Sequence, residues 1–486
     1  MSYAPIGGSG NLPSHRRYAK AAILTFLFGA ILFSLGLSTT NTEEATLSLA
    51  GSTQHEHTVN DLPGQPSGFG YSLPMFAGFV DVGPASAASA LFYWLFTSES
   101  TAENTAPTPL TIWLNGGPGA SSLTGALLEN GPIRLNDDGA LTYNKYGWTN
   151  VGHFVAIDNP VGAGFSYTDT DSYVNNLGEM AEQLYEGIVN LLELHPFLAD
   201  SPIFVAGESY AGKYIPAISH YIYEKHKEGD ERVNLSGIAI GNGQLKPFTA
   251  YASTPDYLHN IGFIDEAQQQ WAHGELAKCK EILDRGEMVE AFAACQKVED
   301  DLYAKYVHLP FIYDVRAKSD VFTTLTRVMT DYLNKDEVRK ALNVGERPWR
   351  QSDGQGPSSV GKPVPEHLKP DEMLDIPDQV LRNLFENFRV LLYSGQTDGS
   401  SCNFIGTKRT LEGLEWEGKE TFAAESQKVW RVDGDVAGYG KTSAAGEAGE
   451  VSFLLIANSG HLVPTDQPLN SLNMFSRFVG GGDLFE

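Results

Sequence analysis

An apolar run, Pro202-Ile203-Phe204-Val205, leads directly into Ala206-Gly207-Glu208-Ser209-Tyr210-Ala211-Gly212. A buried strand that turns at once into a helix forces its corner residue into a cramped backbone. Only small neighbours then let a serine Oγ stand exposed above the sheet. The segment therefore commits the chain to a strand–turn–helix unit with Ser209 at the corner as a candidate nucleophile. Its spacing, G-E-S-Y-A, is a relaxed form of G-x-S-x-G, so the rest of the chain must supply the partners.

The surrounding sequence alternates strands and helices. Short runs, apolar on both faces and bounded by Gly, Pro or Asn, occur at residues 90–96, 110–114, 153–158, 203–206, 237–241, 389–394 and 451–457. Such runs suit a central sheet covered on both sides. Ala181, Leu184, Tyr185, Ile188, Leu191 and Leu192 recur at helical spacing, and His195-Pro196 stops that helix. Strand, helix, strand, corner and helix in succession imply a mainly parallel sheet. From residue 245 to 377 the strand rhythm gives way to helix formers, at 265–285, 287–306 and 335–343, and a Gly/Pro/Ser-rich loop at 352–370. The expected organisation is an N-terminal segment with a loose linker (1–60), a first core part (61–244), a helical cap insertion (245–377) and a second core part (378–486). A loose loop is expected at 433–449.

With 34 Lys and Arg against 60 Asp and Glu, the formal charge is −26. That argues against nucleic-acid binding, which wants a basic face. Residues 21–37 are uninterruptedly apolar and come after Arg16, Arg17 and Lys20. As a helix they would rise about 25 Å, just short of a bilayer core. The basic flank keeps that end cytoplasmic and directs the remainder of the chain into the secretory lumen. Cleavage near residues 38–41 and retention as a membrane anchor are both open. The expected destination is a lysosome- or vacuole-like compartment or the exterior. Of three cysteines, Cys279 and Cys295 lie sixteen apart in a helical region and are disulfide candidates, leaving Cys402. Asn234-Leu235-Ser236 is a glycosylation sequon.

Two further residues fit the chemistry that a serine at such a corner requires. Asp398 comes after the strand ending Tyr393-Ser394, and His461 after Phe453-Leu454-Leu455-Ile456. Both stand at the carboxyl ends of strands, where such sheets place their catalysts. A serine hydroxyl needs an imidazole to take its proton and a carboxylate to fix the imidazole tautomer. The run Trp113-Leu114-Asn115-Gly116-Gly117-Pro118-Gly119-Ala120-Ser121-Ser122 succeeds an early strand. Its bare glycine amides can approach a substrate oxygen that develops negative charge. The motifs contain no metal-ligand cluster, so neither a metal nor an organic cofactor is expected.

W-L-N-G-G-P-G-A-S-S, D-N-P-V-G-A-G-F-S-Y, G-E-S-Y-A-G-K-Y-I-P, I-A-I-G-N-G and S-G-H-L-V-P-T-D-Q-P occur in this order. Together they resemble the serine carboxypeptidase family, from about Leu62 to Phe478. The resemblance implies an α/β-hydrolase fold with a helical cap and removal of single residues from the C-termini of peptides and proteins through an acyl-enzyme. By match to the family's motifs, Ser209, Asp398 and His461 would form the triad. The amides of Gly117 and Tyr210 would form the oxyanion hole. Trp113, Asn115, Gly116 and Glu208 would bind the terminal carboxylate, with Glu129 partnering Glu208.

A protonated glutamic acid can donate to a carboxylate. Two neighbouring carboxyls cannot both ionise cheaply, so one of the two should hold a proton and activity should favour acidic pH. Members of the family often carry a cysteine where Ala120 stands, bridged to the cap, so looser anchoring of the cap is expected here. Cys402 is either a thiol near the site, as in some members, or an inert buried one. Two alternatives share the scaffold: a carboxypeptidase-like acyltransferase and a binding or protective protein.

Overall fold

The computed structural model describes residues 54–66, 68–100, 107–351 and 364–485. The apolar run 21–37, the region 38–41, most of the 1–60 segment and part of the 352–370 loop lie outside the described residues. All four described stretches belong to one compact unit.

Fourteen strands are described: β1 (Thr58–Val59), β2 (Met75–Val82), β3 (Ser89–Phe96), β4 (Leu110–Leu114), β5 (Ile133–Leu135), β6 (Leu141–Tyr143) and β7 (His153–Ile157), then β8 (Tyr167–Thr168), β9 (Ile203–Glu208), β10 (Leu235–Gly241), β11 (Arg389–Gly395), β12 (Lys428–Val432), β13 (Asp435–Ala445) and β14 (Gly449–Ile456). The main sheet runs β1-β2-β3-β7-β4-β9-β10-β11-β14-β13-β12. Its centre, β7 to β14, is parallel, and antiparallel strands flank it on both sides. Along the central strands successive side chains enter two different cores. Ile112 and Val205 face one; Trp113, Phe204 and Ala206 face the other. That is why these strands read as continuous apolar runs rather than alternating ones.

Register then places the chemistry. Leu114 pairs with Gly207, Glu208 with Gly241, Gly241 with Tyr393 and Gly395 with Ile456. The carboxyl ends of β4, β9, β10, β11 and β14 are therefore level, and the loops that leave them meet at one edge. Helix α1 (Leu177–Leu194) packs its apolar stripe against one face, beside α2 (Ala211–Lys227).

The insertion contributes α3 (Pro247–Asn260), α4 (Glu266–Asp284), α5 (Met288–Leu302) and α6 (Val321–Leu333). Asp265 and Gln268 close a capping box at the start of α4, satisfying amides that the first turn leaves free. Tyr257, Leu276, Val298 and Leu302 build a separate core here, and Cys279 is disulfide-bonded to Cys295 within it, at a Cα–Cα distance of 5.4 Å.

The expected loose loop at 433–449 is instead mostly strand β13, hydrogen-bonded to β12 and β14. Its glycines disguised it: at Gly438 a Cβ would sit 2.1 Å from the Leu455 carbonyl oxygen. A residue that weakens strand propensity is here the only one that permits the approach.

Candidate active site

Ser209 occupies the corner between β9 and α2 with φ +63°, a left-handed conformation that costs a non-glycine residue about 1 kcal/mol or more. Backbone bonds hold it there. The Ser209 amide donates to the Gly241 carbonyl at 3.1 Å, and its carbonyl accepts from Gly212 at 2.9 Å and Gln244 at 3.1 Å. The small neighbours are obligatory. A Cβ at Gly207 would lie 2.0 Å from the Leu114 carbonyl oxygen, and one at Gly116 would lie 2.4 Å from the Tyr210 amide nitrogen.

Asp398 is fully buried, and four donors satisfy its carboxylate. Oδ1 accepts from the Ser400 amide (3.0 Å) and hydroxyl (2.7 Å). Oδ2 accepts from Asn242 Nδ2 (2.7 Å) and lies 2.7 Å from His461 Nδ1. The His461 amide donates to the Tyr313 carbonyl at 2.8 Å, and its ring packs on the Tyr313 ring with centroids 4.7 Å apart. With Nδ1 engaged, Nε2 is the imidazole nitrogen left for another partner. Ser209 and His461 wall the same cavity, about 210 Å³ in volume. Asn242 was absent from the sequence-based candidates. It stands just after β10, and its Oδ1 also accepts from the Gly395 amide at 3.0 Å, so it fixes the loop after β11 as well as Asp398. Its signals in the sequence are its place at the end of a parallel strand and within the I-A-I-G-N-G segment.

Asn115, Gly116 and Glu208 line that cavity too. Trp113 Nε1 and the Gly125 amide both donate to Asn115 Oδ1 at 2.9 Å. Asn115 Nδ2 donates to Glu208 Oε1 at 3.0 Å and to Glu129 Oε1 at 3.4 Å. Glu208 and Glu129 are both buried, 3 % and 2 % exposed, and in hydrogen-bonding contact with each other. Burial pushes the Glu129 carboxyl up to about 7. Burial, and then the charge of Glu129, holds Glu208 well above the usual carboxylate range. The pair therefore retains a proton where isolated glutamates have lost theirs.

The loop after β4 puts Gly117 on the cavity wall, and the Gly117 and Tyr210 amides have no protein acceptor among the described residues. Asp158, at the end of β7, braces the loop from behind. It accepts from Ser121 Oγ (2.6 Å), the Ser122 amide (2.9 Å) and the Phe165 amide (2.9 Å). Burial raises its carboxyl to about 6. Ala120 deprives the loop of a cysteine, and other contacts join it to the insertion. Trp349 Nε1 donates to Ser121 Oγ at 3.0 Å, and the Ser121 amide donates to the Gln351 carbonyl at 2.8 Å. On the other side Val364 lies against Gly119, and buried Lys213 donates from Nζ to the Asp371 carbonyl. Hydrogen bonds and packing attach the insertion where sulfur is absent.

Cys402 is buried beside the Ser209 hydroxyl. Burial first, and then the Asp398 charge, drives its thiol pKa well above the ordinary value. It is therefore a neutral thiol, not a thiolate nucleophile. Asn234 is exposed.

The sheet, its strand order and the serine corner define an α/β-hydrolase. The serine carboxypeptidase family model matches residues 63–481, and the chain belongs to that family. It is 31% identical over 424 residues to the probable serine carboxypeptidase CPVL of Homo sapiens, covering 85% of this chain and 84% of that one. To the vitellogenic carboxypeptidase of Aedes aegypti it is 33% identical over 414 residues, covering 84% of each. The crystal structure of Kex1Δp, a prohormone-processing carboxypeptidase from Saccharomyces cerevisiae, shares the fold with a TM-score of 0.75 at 24% identity. That likeness covers 88% of this chain and 96% of that one.

Proposed function

We propose that the protein releases single amino acids from the C-termini of peptides and proteins through an acyl-enzyme formed on Ser209. His461 takes the Ser209 proton as Oγ attacks the scissile carbonyl and then gives it to the departing amino group. Asp398 holds the imidazole tautomer and stabilises the imidazolium. The amides of Gly117 and Tyr210 receive the oxyanion. Water, activated by His461 in turn, frees the shortened peptide.

The observation that carries this reading is the pair Asn115 and Glu208, backed by Glu129, on the wall that also holds Ser209 and His461. A free carboxylate placed one residue from the cut bond meets the Asn115 amide and a carboxyl that still has a proton to donate. An endopeptidase or lipase has no use for such donors there. Because burial holds both carboxyls of the pair above the usual range, hydrolysis of peptides is favoured at acidic pH.

The test is a blocked dipeptide together with an organophosphorus serine reagent. Release of the free C-terminal amino acid, and its loss with one-to-one labelling at Ser209, support the proposal. A labelled enzyme that still releases the amino acid overturns it.

Entry into the secretory pathway is inferred from the apolar run 21–37, with Cys279–Cys295 and the exposed Asn234 sequon in keeping with an oxidising lumen. The preference for acid suits a lysosome- or vacuole-like compartment. Among the described residues no helix is long and apolar enough to cross a membrane, so any anchoring would rest on residues 21–37.

A further inference from the structure

The same cavity that Asn115 and Glu208 line also has aromatic and aliphatic side chains in its wall. Phe311, Tyr313 and Phe322 come from the insertion, and Leu462 adjoins His461. The three rings form a cluster, with centroids 5.4 Å apart for Phe311–Tyr313 and 6.5 Å for Phe311–Phe322. None of these side chains is fully buried, and Tyr313 is 38% exposed, so ring surface is left facing the cavity.

The polar residues of the same wall are already occupied. Gln351 Nε2 donates to Thr124 Oγ1 at 2.9 Å, and that hydroxyl lies 3.2 Å from Gln351 Oε1. Neither side chain carries a charge, so neither offers a counter-ion to a ligand. The ionisable groups on the cavity wall are Glu208, bound to Asn115 and Glu129, and His461, bound to Asp398, together with the Tyr313 phenol. Among the described residues, nothing in the lining is free to neutralise a charged side chain. At about 210 Å³ the cavity falls below the roughly 300 Å³ at which pockets for drug-sized ligands begin. It suits one residue, not a chain continuing beyond it.

Resting on the carboxypeptidase reading, we infer that this cavity selects the residue to be released by its side chain, and that Phe311, Tyr313, Phe322 and Leu462 make it specific for bulky apolar C-terminal residues. With the terminal carboxylate at Asn115 and Glu208, an aromatic or branched aliphatic side chain covers the exposed rings. A lysine, arginine or aspartate there would lose water without gaining a counter-charge.

The experiment compares blocked dipeptides that share a penultimate residue and end in Phe, Leu, Lys or Asp. Phe and Leu are expected to exceed Lys and Asp in kcat/KM by about tenfold or more, the scale of burying one apolar side chain. Phe322→Asp should narrow or reverse the ratio of Phe to Lys, while Phe322→Leu should preserve it. Equal rates for all four substrates, or a ratio unmoved in Phe322→Asp, would overturn the inference and leave the peptidase reading intact. No release from any dipeptide would overturn both.

Discussion

Asn115 Nδ2 lies 3.0 Å from Glu208 Oε1, and the orientation of that carboxamide is fixed, because two donors converge on its Oδ1. Glu208 must accept through Oε1. Any proton it carries sits on its other oxygen, available to Glu129 or to a substrate carboxylate.

Replacing Glu208 by Gln keeps a donor and removes its titration. In Glu208→Gln, hydrolysis of free-carboxylate dipeptides should lose the decline with rising pH that the parent shows. Glu208→Ala should lower kcat/KM on those dipeptides about 10- to 100-fold, the scale of a hydrogen bond to a charged group. Turnover of substrates with an esterified C-terminus should be spared. A pH–rate profile of both variants on both substrates checks this. A parent-like decline in Glu208→Gln would rule out the carboxyl pair.

Asn242 holds Asp398 and the Gly395 amide at once, from a backbone at φ +44°. Asn242→Gly preserves that backbone and deletes both bonds. A fall in kcat of about tenfold with KM unchanged is expected. Steady-state kinetics that show a change in KM alone would assign Asn242 to substrate binding.

The stability that buried carboxyls contribute should fall as pH rises. Burial raises the carboxyls of Asp158 to about 6, Glu129 to about 7 and Glu299 to about 8. Between the ordinary carboxyl range of the unfolded chain, about 4, and these folded values the native state binds more protons than the unfolded one. Their contribution is complete below about pH 4 and is lost as pH climbs through the folded values. Each tenfold gain in proton affinity on folding is worth about 1.4 kcal/mol. Thermal melts should show a Tm gap between about pH 5 and about pH 8 in which these carboxyls favour the lower pH, while buried His153 and His195, lowered to about 4, oppose them. Glu299→Gln, which replaces a carboxyl with a buried oxygen lacking a donor among the described residues, should narrow that gap. A pH dependence of Tm unchanged in Glu299→Gln would contradict the assignment.

The disulfide closes a short loop between α4 and α5. Replacing both Cys279 and Cys295 by Ser should lower stability by roughly 3 kcal/mol, as for a loop of about 15 residues. Denaturant titration measures the loss. Dipeptide turnover at room temperature should be unchanged, since neither residue lines the cavity.

Residues such as Ser209, Asp398 and His461 were legible because each stands just after a strand whose apolar run is written locally. The tight corner also demands glycine at 207 for a steric reason that sequence carries directly. Asn242 and Asp158 were not legible as site residues. Their importance arises only when β10 pairs with β11, and when the loop after β4 lies against Phe165 and Trp349. Strand β13 was hidden because its glycines serve a neighbouring strand rather than their own local propensity. The apolar wall at Phe311 and Phe322 was equally obscure, since it depends on where the insertion folds back.

The Ser121–Trp349 contact has a chemical corollary. The wall of the reaction chamber is fastened without sulfur, so the thiol balance of its surroundings has no purchase on it. Reductants act on the outlying hairpin alone, and an environment that opens that cross-link leaves the amides at Gly117 and Tyr210 where they were.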